Sequence, residues 1–384
     1  MNKKIAYFDN AATTFPKPEC VYEFMNDFYR SCGGNAGRGN HGLAMTSGKL
    51  IFETRTLLKE LLHCQTKEVI FTPSATFALN MIIQGIIYSG AKNIYISPFE
   101  HNAVTRVLHH FEKQNVIVVH QLKFEKFDFN FERIKYQFEE IKPDLVVCTH
   151  ASNVTGIILP VADLCNLSKT FGATTVIDMA QTCGLVDLDC GNQNIDFAVF
   201  AGHKTLYGPT GIGGFVMNQN IALPPVIFGG TGVDSINQEM PSSIPEKYEM
   251  GTQNILGIAG LNASLKWILN IGIENLFKKE IENRNRLIKL LNNFDFVKPV
   301  GIYDSSNYVG IVSVLIEGIS SDTAENIFSE QGIALRGGLQ CSPLAHKFLG
   351  TSPAGTVRFS TSYFMSEEDF LHLEKVLKYL EEEM

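Results

Sequence analysis

An apolar strand, Phe197-Ala198-Val199-Phe200, runs through Ala201-Gly202 into the pair His203-Lys204, and the loop Tyr207-Gly208-Pro209-Thr210-Gly211 follows. An ammonium at the end of a buried strand is costly to desolvate. Its pKa falls there, and the neutral amine that results is the nucleophile of Schiff-base chemistry. A second apolar strand, Val176-Ile177, ends on the carboxylate of Asp178. Enough chain separates Asp178 from Lys204 for one neighbouring strand and its connection. A lysine to take up an aldehyde and an aspartate to face a ring nitrogen together suggest pyridoxal phosphate. Taken singly, each has an ordinary reading: a solvated surface lysine, or an aspartate that caps a turn. The pairing and the glycine-rich loop favour the chemistry. That loop is not a P-loop, because no G-x-x-x-x-G-K-[ST] pattern occurs.

These residues need a sheet to hold them. Short apolar runs alternate with helical segments through the first 250 residues or so. Val69-Ile70-Phe71, Ile94-Tyr95-Ile96, Val116-Ile117-Val118-Val119, Leu145-Val146-Val147-Cys148, Thr175-Val176-Ile177, Phe197-Ala198-Val199-Phe200 and Gly214-Phe215-Val216-Met217 read as strands. Nearly continuous apolar strands separated by helices, such as the one expected over 77–85, predict an α/β fold. Its sheet is mostly parallel and seven-stranded, with helices on both faces. In such sheets ligands bind at the carboxyl ends of strands, where Asp178 and Lys204 both lie. After about residue 255 the pattern changes. A long helical region over 255–293 is broken near Gly272, Gly310 to Ile316 reads as a strand, and a helix over 323–331 is opened by Ser321 or Asp322. A last helix over 367–383 has Ser366 and Asp369 in capping-box spacing. The expected division is a large domain over 15–255 and a smaller α+β domain made of 1–14 and 256–384. The segment 229–245, rich in Gly, Ser and Pro, reads as a long loop.

Bulk properties exclude several classes. The chain has 384 residues, 45% of them hydrophobic and 19% charged, which suits a sizeable core. A net charge of −8 argues against a nucleic-acid-binding face. The first residues meet Asp9 before any long apolar stretch, which reads against a signal peptide. No run of roughly 18 apolar residues suggests a membrane span. Eight cysteines contain no C-x-x-C pair, and several, such as Cys148, sit in apolar stretches as inert core thiols. This usage fits a reducing cytoplasm.

Other residues stand where a ligand would bind. Ser74-Ala75-Thr76 opens a helix after a strand, a position that caps the helix or holds phosphate. His101 follows another strand and has the chemistry to stack on a ring or shuttle protons. Asn153, after His150-Ala151-Ser152, is placed to bond a ligand oxygen or cap a turn.

In combination these motifs resemble the class V, fold-type I pyridoxal phosphate enzymes, and among them the cysteine desulfurases. The motifs are Tyr7-Phe8-Asp9-Asn10-Ala11-Ala12-Thr13-Thr14, Ser97-Pro98-Phe99-Glu100-His101-Asn102, Ser152-Asn153-Val154-Thr155-Gly156, Ile177-Asp178-Met179-Ala180-Gln181 and Gly202-His203-Lys204 with its Gly-Pro-Thr-Gly loop. The resemblance implies that Lys204 binds the cofactor covalently and then moves protons, that Asp178 keeps the ring nitrogen protonated, and that Gln181 bonds the phenolic oxygen. His101 would stack on the ring. Thr76, the backbone at Ala75, and His203 would hold phosphate, with Thr252 reaching it across a homodimer interface. Asn153 and Arg358 would hold the substrate carboxylate, Arg through its bidentate geometry, and Asn10 and Ala11 would lie against the substrate.

Cys341, in Leu335-Arg336-Gly337-Gly338-Leu339-Gln340-Cys341-Ser342-Pro343, resembles the reacting cysteine of desulfurases with a short, ordered R-x-G-x-x-C loop. Its thiolate would attack the sulfur of L-cysteine and leave alanine and a persulfide. Arg336 is expected to favour the thiolate or order the loop. Selenocysteine lyase, cysteine-sulfinate lyase and class V aminotransferase remain alternatives, as does a non-catalytic sulfur carrier or scaffold. The acceptor of the sulfur stays open among an iron–sulfur scaffold, a tRNA-thiolation partner and a dedicated carrier. No nucleic acid, membrane or metal is expected. Three departures stand out. Ala201 replaces a serine that binds phosphate in many relatives, Lys247 replaces an arginine, and Gly33 to His41 resembles a less-studied branch.

Overall fold

The computed structural model describes residues 5–36, 39, 41–125, 128–233, 235–302 and 307–383. Gly37, Arg38 and Asn40 of the Gly33 to His41 segment lie outside the described residues.

Seven strands form the central sheet, in the order Glu68–Thr72, Gly213–Met217, Phe197–Ala201, Thr174–Asp178, Leu145–Thr149, Asn93–Ile96 and Val118–Gln121. Gly213–Met217 runs antiparallel to both neighbours, and every other pairing is parallel. The seven-stranded, mostly parallel sheet read from the sequence is therefore present. Side chains along a strand alternate between faces, and here each face has its own core. Val69, Phe71, Val146, Cys148, Ile177, Ala198 and Phe200 pack into one. Ile70, Leu145, Val147, Val176, Phe197 and Val199 pack into the other. Burial on both sides explains why these strands are apolar runs rather than alternating ones.

Where boundaries differ from expectation, the cause is local. The strand expected over 116–119 lies at Val118–Gln121. It is the sheet's edge, so it is half solvated and includes His120 and Gln121, which an apolar pattern does not mark. The helix expected over 77–85 extends over Ala75–Tyr88, because Ser74 Oγ accepts from the amide of Phe77 at 3.2 Å and starts the helix earlier. The helix expected over 323–331 is Ser321–Glu330. Its cap is Ser320, whose Oγ accepts from Thr323 at 3.2 Å, and not Ser321 or Asp322.

The remaining chain builds a third core. Val297–Val300, Ile311–Ile316 and Val357–Ser360 form an antiparallel sheet, packed with Phe8, Leu287, Phe328, Phe359 and Phe370. The first strand, Ala6–Tyr7, pairs with Ile333–Ala334 and so joins this C-terminal part. The helical region breaks at Gly272, whose φ of 87° ends Ile255–Ile271 and turns the chain by 85° into Ile273–Leu291. Ile258, Ala259, Leu261, Leu265 and Ile268 of the first helix pack into the core of the large sheet. The final helix, Glu367–Glu383, opens with the expected box: Ser366 Oγ and its own amide both bond Asp369 Oδ2. The described part of 229–245 holds no helix or strand, and no single described helix is long and apolar enough to cross a membrane.

Candidate active site

Strand ends and helix starts meet in one cavity. It is lined by Ser74, Ala75, Thr76, His101, Asn153, Asp178, Gln181, Ala201, His203 and Lys204, with Leu79, Ala103, Thr149 and Ala180 filling the wall. Asp178 is the last residue of Thr174–Asp178, and Lys204 lies three residues beyond Phe197–Ala201 on the neighbouring strand. Ala75 arrives from the far edge because Gly213–Met217 lies between the first strand and Phe197–Ala201. Gly213 makes room for it: a Cβ there would stand 2.9 Å from the amide nitrogen of Ala75.

The electrostatics follow from burial. Lys204 is half-buried, and desolvation lowers its pKa to about 8 against the opposing pull of Asp178. Burial raises the Asp178 carboxyl above the usual range, while the Ala180 amide, 2.9 Å from Oδ1, and Lys204 pull it back down. His101 caps the helix Asn102–Lys113 by accepting from the Ala103 amide at Nδ1, 3.0 Å. Burial, then Lys204, Arg336, Arg358 and Arg106, push its pKa down to about 4, so the ring is neutral with its proton on Nε2. The preceding residue, buried Glu100, accepts from Ser97 Oγ at 2.5 Å and the Thr149 amide at 2.8 Å, and thus joins two strand ends. Sequence reasoning gave Glu100 no role, although it stands inside a quoted motif.

The wall fits a phosphorylated, ring-bearing cofactor. His203 has a buried Nδ1 with no partner, on the wall that also carries the helix start at Ala75 and Thr76. A buried polar atom left unpaired is costly unless something binds it. Burial, followed by the charges of Lys204 and Lys17, holds this ring's pKa near 4 as well. Lys17, which sequence reasoning missed, donates to the His203 carbonyl at 2.7 Å. Ala201 lines the cavity and brings no side-chain donor.

Cys341 stands beside this cavity, in a groove that shares Thr76, His101 and Ala103 with it and is otherwise walled by Asn80, Gln84, Asn102, Arg106, Val107, His110 and Phe111. The thiol is half-buried, and Arg336 Nη2 lies 3.4 Å from its Sγ. The expected loop is ordered by specific bonds. Asn153 Nδ2 donates to the Gln340 carbonyl at 2.7 Å, and Ser342 Oγ donates to Asn153 Oδ1 at 2.6 Å. The Asn102 amide donates to the Cys341 carbonyl at 2.7 Å. By contrast Cys148, Cys165 and Cys183 are fully buried, with thiol pKa values pushed up by desolvation.

Several expected residues have partners or positions that the sequence did not show. Asn153, read as bonding a ligand oxygen or capping a turn, places one bond from each end of its amide on the Cys341 loop. The resemblance implies that Arg358 holds the substrate carboxylate. It is buried, and it donates to Asp9 Oδ1 at 2.7 Å and to the Asn153 carbonyl at 3.0 Å, with Nε unpartnered. Asn10 and Ala11 line a neighbouring cavity, not the one with Lys204. Asn10 is spent on the carbonyls of Tyr7 and Ser360, and Ala11 bonds Ser360 Oγ and Gln181. Thr252 is exposed and lines a separate cavity with Phe71, Pro73 and Phe77, so its own chain does not bring it to Lys204. No pattern in the sequence marked the Asp9–Arg358 pair, since its partners lie at opposite ends of the chain.

Sheet, cavity and adjoining thiol together define a fold-type I enzyme. The family described as Aminotransferase class-V matches residues 6–373, and the chain belongs to that family, within its cysteine desulfurase group. It is 30% identical over 391 residues to a probable cysteine desulfurase of Pyrococcus abyssi, covering 100% of this chain and 95% of the relative. A second probable cysteine desulfurase, from Xylella fastidiosa, is 30% identical over 96% of this chain and 88% of its own length. The apo structure of a cysteine desulfurase from Thermococcus onnurineus NA1 superposes with a TM-score of 0.91 at 26% identity, over 99% of this chain and 95% of that one. The fold is shared as well with cysteine desulfurase CsdA from Escherichia coli, TM-score 0.83 at 24% identity, over 99% and 95% of the two chains.

Proposed function

We propose that this enzyme is a cysteine desulfurase that binds pyridoxal phosphate at Lys204, moves the sulfur of L-cysteine onto Cys341 and releases L-alanine. The observation that carries the reading is the position of Cys341, on a tied loop at a groove that shares His101 and Thr76 with the Lys204 cavity. The cofactor, when bound, supplies a conjugated sink for the electrons left on the substrate's carbons.

The chain's own residues supply the rest. An amine with its pKa near 8 lets Lys204 exchange a proton at neutral pH. Asp178 would hold the ring nitrogen and favour a proton on it. Neutral His101 would stack on the ring. His203, Thr76 and the backbone at Ala75 would take the phosphate, and Gln181 would keep one amide hydrogen for the ring's oxygen beside the one given to the Ala11 carbonyl. Arg358 takes the substrate carboxylate through the donors left over from Asp9, with Asn153 fixing the guanidinium by its carbonyl. The Cys341 thiolate then attacks the substrate sulfur. An S–S bond forms, the Cβ–S bond breaks, the electron pair stays on the carbon side, and that carbon takes a proton. The persulfide passes its outer sulfur to an acceptor protein or a reductant.

A homodimer is part of this reading, since Thr252 meets phosphate only if it comes from the other subunit. The division into 15–255 and 1–14 with 256–384 is likewise proposed, with Ile255–Ile271 bridging the two parts. A cytoplasmic location completes the proposal. The test measures alanine and sulfide released from L-cysteine by cofactor-loaded protein, with and without a thiol reductant. Absence of alanine under both conditions would overturn it.

A further inference from the structure

The helix just beyond Cys341 carries a histidine that the proposed reaction leaves without a task. His346, in Pro343–Leu349, is wholly buried. Its Nε2 lies 2.8 Å from Gln340 Oε1, and its Nδ1 lies 2.8 Å from Thr351 Oγ1. The orientation of the Gln340 amide follows from its other bonds: Nε2 donates to the carbonyls of Thr356 at 2.8 Å and Arg336 at 3.3 Å, and Oε1 also accepts from Thr356 Oγ1 at 3.3 Å. A carbonyl oxygen only accepts. His346 therefore carries its proton on Nε2, and Nδ1 accepts from the Thr351 hydroxyl. Burial, with help from the charge of Arg358, lowers its pKa to about 4 and keeps the ring in this neutral form.

Gln340 is thus saturated on every side, and the backbone beside it explains why that matters. Gln340 and Cys341 have φ of 39° and 59°, two successive left-handed residues that both carry a Cβ. Such a pair is unfavourable and persists only where its surroundings over-determine it. Asn153 and the Asn102 amide hold the two carbonyls, as described above. The Gln340 side chain supplies the third restraint, and His346 is the donor that locks it from the far side.

We infer that His346 is a positioning residue for the Cys341 thiol: through Gln340 it holds the left-handed pair, and so keeps Sγ beside Arg336 at the mouth of the cofactor cavity. The inference rests on Cys341 being the sulfur-accepting residue.

The test compares holoenzyme variants. His346→Phe keeps the ring's bulk and removes both bonds, whereas His346→Gln restores a donor to Gln340. Misplacing a reacting group by about 1 Å costs on the order of a hundredfold in rate. For His346→Phe we expect the turnover number on L-cysteine to fall about tenfold or more, with the Michaelis constant within about twofold of wild type. The cofactor's visible band is expected to stay unchanged. Amide exchange is expected to speed up in the peptide covering 338–342 and nowhere else. His346→Gln is expected to recover most of the turnover and the slow exchange. Wild-type turnover and exchange in His346→Phe would overturn the inference. So would a loss of the cofactor band with exchange raised throughout the chain, since His346 would then serve the fold at large. If His346→Phe does not fold, Gln340→Met removes the same Gln340–His346 bond from the other side and carries the same expected local changes and the same overturning outcomes. Failure of the underlying reading is distinguishable: Cys341→Ala would then still desulfurate cysteine, whatever the His346 variants do.

Discussion

Arg358 donates to Asp9 across 2.7 Å, joining residues 349 positions apart in the sequence. The guanidinium is buried, and one of its nitrogens, Nε, is unpartnered. If Arg358 takes the substrate carboxylate as proposed, Asp9 would set the plane of the guanidinium beforehand and lower the ordering cost of binding.

That arrangement predicts a split in kinetics. A hydrogen bond to a charged group is worth about 1.5–3 kcal/mol. Arg358→Ala is therefore expected to raise the Michaelis constant for L-cysteine roughly 10- to 150-fold, more than it lowers turnover. Steady-state kinetics decide it, and an unchanged Michaelis constant would remove Arg358 from the substrate's carboxylate.

Cys341→Ala separates the desulfurase from its rivals. Activity on L-cysteine is expected to fall by at least about a hundredfold, because no thiol remains to take the sulfur. If selenium or sulfite were still released from selenocysteine or cysteine sulfinate, those reactions would need only the cofactor site. Alanine formed from cysteine at the wild-type rate would show that another group accepts the sulfur.

The depressed pKa of Lys204 sets a pH profile. Below about 8 the amine is mostly protonated and not nucleophilic, and above it mostly neutral. Covalent capture of Lys204 by pyridoxal phosphate in the apoprotein, fixed with borohydride and read by peptide mass spectrometry, should quicken from pH 6.5 to about 8 and then level off. A rate still climbing tenfold per pH unit beyond 9 would mean that burial has not shifted the amine. No capture at all would end the proposed function.

Asn153→Ala releases both flanks of Cys341 at once. Two buried partners, the Gln340 carbonyl and Ser342 hydroxyl, lose their bonds, and a cost of about 1–3 kcal/mol in stability is expected. Urea denaturation of the apoprotein measures it. An unchanged midpoint would mean that the loop finds other partners.

Thr252 tests the homodimer. Sedimentation should give twice the chain mass, and Thr252→Ala should speed cofactor loss without dissociating the dimer. A monomer that retains cofactor as well as wild type would refute both the dimer and the role of Thr252.

Much of this was legible before any coordinates, for physical reasons. Strands such as Leu145–Thr149 and Phe197–Ala201 are buried on both faces, so their composition alone declares them. Asp178 and Lys204 end such strands, and their chemistry is unusual enough to notice there. Contacts between distant residues were not legible. The edge strand Val118–Gln121 hides its ladder behind polar side chains. Asn153 resembles a ligand contact because an amide that bonds a ligand and one that bonds a loop are the same residue type. His346 sits in a seven-residue helix too short to show a periodic face. Only the fold reveals that Gln340 is its partner.

The antiparallel strand Gly213–Met217 has a consequence for synthesis. Until it leaves the ribosome, Glu68–Thr72 has no neighbour in the sheet, and Ala75 cannot be seated next to Lys204. A nascent chain arrested before that point would have the lysine without the helix start at Ala75, so on the proposed reading vitamin capture would wait until more than half the polypeptide has been translated.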